Sequence, residues 1–120
     1  MSPSSFQVTS RLIDDVAIIY PRGYLNNLSG ENIVSECARH AQAGVRKIIV
    51  NFRDTDLINS IGISFLLTVM EDLRDAGGTL CFSGMKKAHL DTFEMLGLTK
   101  YFLLFTDEDA ALRALGGGQV

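Results

Sequence analysis

Ser60 opens an apolar run and follows a short polar loop, Asp54-Thr55-Asp56-Leu57-Ile58-Asn59. A serine hydroxyl in that position can cap a helix or accept a phosphate. Phosphate adds about −1.5 to −2 charges, which a helix N-terminus tolerates and an apolar interface does not. The same hydroxyl would need a neighbouring base to act as a nucleophile, and no histidine or lysine is near it in sequence. The other reactive side chains are scattered. His40 and His89 stand alone, without a second ligand at HxxxH or HxH spacing, and read as surface or helix-end histidines. Asp54 and Asp56 sit in a loop and are expected to shape a turn rather than form an acid–base pair. Cys37 and Cys81 lack CxxC spacing, so neither a disulfide framework nor a zinc site is expected, and a reducing compartment fits. Gly77-Gly78 and Gly116-Gly117-Gly118 lack the Lys-Ser/Thr partner of a phosphate loop, and there is no GxSxG elbow. We therefore expect no enzyme: no catalytic residue, no bound cofactor and no metal.

The elements that must position Ser60 follow from periodicity. Phe6 to Ile13 alternates and Val16 to Tyr20 is a nearly continuous β-branched run, with Asp14-Asp15 between them, which predicts an opening β-hairpin. Ile33, Val34, Cys37, Ala38 and Ala41 recur at helical spacing from about Gly30 to Ala43-Gly44, with Ser29 as the expected cap. Lys47 to Phe52 has the unbroken apolar character of a strand covered on both faces. A loop is expected over Arg53 to Asn59, then a helix from Ser60 to about Asp75, capped by Ser60 or Asn59 and closed by Ala76-Gly77-Gly78. Thr79 to Phe82 and Tyr101 to Phe105 read as strands, and Ala88 to Met95 and Glu108 to Leu115 as helices. This alternation predicts an α/β domain with a mainly parallel sheet.

Within the helix after Ser60, Ile63, Leu66, Leu67, Met70 and Leu73 make one apolar face, while Ile61, Phe65 and Val69 make a second stripe at i, i+4, i+8. One sheet cannot cover both. Either another element of the domain packs over the second stripe or it faces a partner.

Composition bounds the reading. The chain has 120 residues, 47% hydrophobic and 21% charged, which suits one well-filled core rather than disorder. Eleven basic against fourteen acidic residues leave a net charge of −3 with no basic block, so direct nucleic-acid binding is disfavoured. The N-terminal Met-Ser-Pro-Ser-Ser has no apolar signal core, and the uncharged stretch Leu57 to Met70 is too short to span a bilayer. The expected location is the cytoplasm, without a membrane partner. One domain over residues 1–120 is expected, with tails at 1–5 and 116–120.

Val50-Asn51-Phe52-Arg53-Asp54 followed by Asn59-Ser60-Ile61-Gly62-Ile63 resembles the STAS family, named for sulfate transporters and anti-sigma factor antagonists. Its stand-alone members carry a strand, an acidic loop and an Asp-Ser-Ser/Thr-Gly-type element opening a helix. Gly23-Tyr24-Leu25-Asn26 is similar to the family's Gly-Glu-Leu-Asp turn, Ser29 takes the place of its usual Thr, and Phe93 to Leu98 is similar to its Phe-x-x-x-Gly-Leu pattern. The resemblance covers nearly the whole chain. It implies a single STAS-like domain with a mixed, mainly parallel sheet of about five strands and about four helices.

It also implies a role. Ser60 matches the family's phosphoacceptor, modified by a partner serine kinase that doubles as an anti-sigma factor and restored by a phosphatase. Asn26, Asn59, Ile61, Gly62, Ser64 and Phe65 fall near the docking surface, and ATP belongs to the partner. Asn stands at positions 26 and 59 where the family has Asp, and Ile61 replaces a small hydroxyl residue. Losing those charges reduces repulsion with a phosphate and also removes ion pairs to a basic partner. The alternative is a non-phosphorylated STAS scaffold or small-ligand-sensing module, in which Ser60 only caps its helix and the apolar stripe joins two copies as a homodimer.

Overall fold

Ten residues, Val16–Leu25, form β2, with an irregularity at Gly23, where φ is 103° and the register shifts. The computed structural model describes residues 6–116; of the expected tails at 1–5 and 116–120, all but Gly116 lie outside the described residues. β1 (Gln7–Ile13) pairs antiparallel with β2, as the hairpin pattern predicts, with Asp14 in the left-handed region at φ 54° in the turn. The other edge of β2 is shared. β3 (Lys47–Asn51) runs parallel to its first half, and β4 (Thr55–Ile58) runs parallel to its end, from Gly23 to Leu25. β5 (Thr79–Ser83) and β6 (Leu103–Phe105) continue the sheet in the order β1-β2-β3-β5-β6.

Four helices connect the strands: α1 (Asn27–Gln42), α2 (Ser60–Asp75), α3 (Lys87–Met95) and α4 (Glu108–Ala114). The result is a six-stranded mixed α/β sheet, mostly parallel. The sixth strand is β4, where the sequence predicts a loop. Its pattern is too short and polar to announce a strand, and it forms because β3 ends early and leaves the end of β2 unpaired. β6 is shorter than expected: Tyr101 and Phe102 lie in the preceding turn, yet Phe102 is buried.

Each central strand is covered on both faces, which explains the continuous apolar runs. Ala17, Ile19, Ile48, Val50, Leu80 and Phe82 join the main core with α1, α2 and α3 residues such as Ile33, Leu66 and Phe93. Val16, Ile18, Ile49 and Cys81 face the other way, toward Ala111 of α4. Phe82 anchors the larger core, stacked on Phe102 at 4.5 Å and edge-on to Phe52 at 5.1 Å, geometries that aromatic quadrupoles favour. Cys37 and Cys81 are both free and buried in different clusters, and burial pushes their thiols up to about 12 and about 11.

Both histidines lie at helix ends, one of the two expected placements, but are buried rather than on the surface. His40, near the end of α1, lies 2.8 Å from the Ser10 hydroxyl of β1. Ser10 donates to Glu36, which pairs with Arg39 at 2.5 Å. This cluster pins the edge hairpin to α1. Burial, then the Arg39 charge, lowers the His40 pKa, against the opposing pull of Glu36. His89 bridges α3 and β4, with Nε2 3.0 Å from the Asp56 carbonyl and Nδ1 accepting from the Lys86 amide.

A Cβ on Gly62 would lie 2.6 Å from the Leu25 carbonyl oxygen, an atom of β2 that cannot swing aside. Gly62→Ala is expected to destabilise the fold by roughly 1–3 kcal/mol in denaturant unfolding. His40 binds a proton less readily folded than unfolded, so its contribution to stability is present above the unfolded value of about 6.5 and is lost as pH falls below it. Urea midpoints at pH 7.5 and 5.5 are expected to drop more for the wild type than for His40→Gln.

Candidate functional site

α1 and α2 both begin where β2 ends, and each starts with an asparagine cap. The Asn26 side chain accepts from the amides of Leu28 at 3.0 Å and Ser29 at 3.2 Å, and Ser29 Oγ accepts in return from the Asn26 amide at 2.7 Å. This reciprocal box starts α1 three residues before the expected point, with Ser29 inside the helix rather than capping it. Asn59 caps α2, its Oδ1 accepting from the Gly62 amide at 2.8 Å. Its Nδ2 donates to the Tyr24 hydroxyl at 3.3 Å.

With the cap supplied by Asn59, Ser60 is the first residue of α2, exposed, and its hydroxyl makes no hydrogen bond among the described residues. Of the two caps the sequence left open, the neighbour is used. Ser64, one turn on, is exposed and donates to the Ile61 carbonyl at 2.6 Å.

The second apolar stripe divides. Val69 is buried in the main core, and Phe65 is half-buried against Gly30 of α1, where a Cβ would come within 2.3 Å of its ring. Ile61 stays half exposed. Within the domain, α1 covers the C-terminal part of the stripe and leaves the N-terminal part open. On the other face Ile63, Leu66 and Leu73 are buried, while Leu67 and Met70 are only partly so.

Ile61 has apolar company that the sequence did not flag. Tyr24 and Leu57 are paired across β2 and β4 and are 44% and 62% exposed, and Leu28 in the first turn of α1 is 70% exposed. The signal was present in the period-two alternation with buried Leu25 and partly buried Ile58, but reading 53–59 as a loop hid it. Of the expected docking residues, Ser60, Ile61 and Ser64 are exposed, Asn26, Asn59 and Phe65 are half-buried, and Gly62 is buried against Leu25. The site is an apolar surface around a free hydroxyl at a helix N-terminus.

Beside it, the β3–β4 loop borders a polar cleft of about 610 Å³ lined by Arg22, Arg53, Lys86, Asp54 and Asp56. Lys86 Nζ donates to the carbonyls of Arg53 at 3.0 Å and Thr55 at 2.7 Å, and with His89 it holds the loop in place. Asp54 lies 3.7 Å from Arg53 in an exposed ion pair, and Asp56 is exposed, as suits turn residues. Among the described residues no group of three or more His, Cys, Asp or Glu side chains is placed to hold a metal ion, and no helix is long and apolar enough to cross a membrane.

Comparison with known proteins bears on this arrangement. BtrV of Bordetella bronchiseptica, provisionally named an anti-sigma factor antagonist, is 27% identical over 108 residues, covering 90% of this chain and 93% of that protein. Among solved structures, a provisionally named anti-sigma factor antagonist from Thermotoga maritima superposes with a TM-score of 0.82 at 16% identity, covering 89% of this chain and 92% of the other. The Bacillus cell fate determinant SpoIIAA, in its phosphorylated form, superposes with a TM-score of 0.68 at 22% identity, covering 92% of this chain and 99% of the other. At such identities the structural likeness concerns the fold. The family described as the STAS domain matches residues 7–111, from β1 into α4, and the chain belongs to that family.

Proposed function

We propose that this protein is an anti-sigma factor antagonist that docks on a partner serine kinase, itself an anti-sigma factor, and is switched off by phosphorylation of Ser60. The observation that carries the reading is the free Ser60 hydroxyl, exposed at the start of α2 and beside exposed Ile61, Leu57 and Tyr24. A kinase can reach it without breaking a cap, because Asn59 holds the helix end. The relationship to BtrV and the phosphorylated form of SpoIIAA support the same reading.

The switch is electrostatic. A phosphate on Ser60 sits at the positive end of α2, so the free protein tolerates it. A docked partner would have to desolvate that charge against an apolar surface, and docking fails. Neutral Asn26 and Asn59 put no carboxylate at either cap to repel the phosphate. The partner binds through Ile61, Ser64 and the exposed edge of Phe65, together with Tyr24, Leu28 and Leu57, and ATP belongs to the partner. A phosphatase restores the unmodified form, and the cycle runs in the cytoplasm, where Cys37 and Cys81 stay reduced.

Incubation with ATP and the serine kinase of the same genome is expected to add one phosphate, located at Ser60 by mass spectrometry. Ser60→Asp is expected to weaken kinase binding at least tenfold, and Ser60→Ala to bind normally without being modified. Absence of phosphate at Ser60 together with unchanged binding of Ser60→Asp overturns the switch. The cap and the acceptor separate in stability measurements: Asn59→Ala is expected to lose about 1 kcal/mol, and Ser60→Ala to stay within about 0.5 kcal/mol of wild type. A Ser60→Ala loss as large as that of Asn59→Ala would instead assign the capping role to Ser60.

A further inference from the structure

An open sheet has two outer edges, and here they differ. β1 forms one edge and carries the Arg11 charge within its length, a feature that discourages pairing with a further strand. β6, Leu103–Phe105, forms the other. Its backbone pairs with β5, and among the described residues no hydrogen bond from outside the sheet reaches residues 103–105. The N–H and C=O groups on the outer side of β6 are therefore open to another strand.

The residues along this edge select the strand. Between Lys100 and Asp107 there is no charge, and Leu103 is 50% exposed. The pairing with β5 puts Leu103 and Phe105 on the α4 side, level with Cys81 and Ser83, and Leu104 on the main-core side, level with Phe82. The flanks differ in sign: Lys100 leads in, and Asp107 and Asp109 follow. Lys100 and Asp109 are exposed and make no ion pair among the described residues. A strand that is positive before, apolar within and negative after is complementary to itself run in the opposite direction. Antiparallel pairing about a two-fold axis at Leu104 sets Leu103 opposite the partner subunit's Phe105, and Lys100 at the partner's acidic end. A parallel copy would set like charges together. We propose that the protein forms a two-fold dimer by antiparallel pairing of its β6 edges, joining two sheets into one. β6 lies three strands from β2, at whose end the Ser60 junction is built, so the contact leaves both Ser60 hydroxyls exposed and does not depend on their modification.

Three residues a side make a small interface, and the association is correspondingly weak. Sedimentation equilibrium of the whole chain, from about 10 µM to about 2 mM, is expected to show monomer and dimer with a Kd of about 0.1–1 mM. Over the same range, the concentration-dependent amide shifts in NMR spectra are expected to centre on Leu103, Leu104 and Phe105. Leu103→Lys, at a half-exposed position, should weaken the dimer at least about tenfold, since it sets a charge against the partner subunit's Phe105. Lys100→Glu alters only an exposed side chain and should weaken it about threefold or more; added salt should weaken the wild-type dimer but not this variant. Leu12→Lys, on the β1 edge, should leave the Kd unchanged within about twofold. A monomer throughout the range, shifts centred away from 103–105, a dimer unaffected by both β6 substitutions, or loss of the dimer in Leu12→Lys would overturn the proposal.

Discussion

The carbonyl of Leu25, at the end of β2, is the point on which the functional end of the molecule depends. It accepts from the Asn59 amide at 3.1 Å, and the absence of a side chain on Gly62 lets α2 approach it. Together with the pairing of β4 along Gly23 to Leu25, this fixes where α2 starts. α1 starts from the same strand end, through the Asn26 cap. Two helix N-termini are thereby set side by side, and the close fit of Phe65 on Gly30 holds them together. The exposed serine and the apolar residues around it are a consequence of that junction. A larger residue at 62 would displace the helix and the hydroxyl it carries.

The opposite face of the sheet adds a polar network to its smaller apolar cluster. Glu108, the first residue of α4, accepts from Tyr20 and Arg11 at 2.6 Å and from Asn51 at 3.1 Å. Burial pushes its carboxyl up, but the hydrogen bonds from Tyr20, Arg11 and Asn51 outweigh this and hold it below its ordinary value. Burial and the Glu108 hydrogen bond together push the Tyr20 hydroxyl up. Besides the packing of Ala111, Leu112 and Leu115, the seven-residue α4 is thus tied to β1, β2 and β3 by one carboxylate. Such a satisfied network specifies position more than it adds stability. The larger core under α1, α2 and α3 stabilises the domain, while the polar network orients its last helix.

Periodicity alone determined the four helices, five of the six strands, the opening hairpin and the α/β class, because apolar spacing of 3.6 or 2 reflects which face each element buries. It also singled out the Ser60 junction and the second stripe on α2. What it left open are relations between distant residues. Whether Asn59 or Ser60 capped α2, and that Asn26 rather than Ser29 capped α1, depended on backbone angles set by β2. That 55–58 is a strand depended on a free edge some thirty residues earlier in the chain. That His40 and His89 are buried depended on partners in β1 and β4, and the division of the stripe at Ile61, Phe65 and Val69 depended on Gly30. Local sequence encodes each element's own preference, whereas caps, edges and buried polar groups are satisfied by whatever the tertiary structure brings within hydrogen-bonding reach.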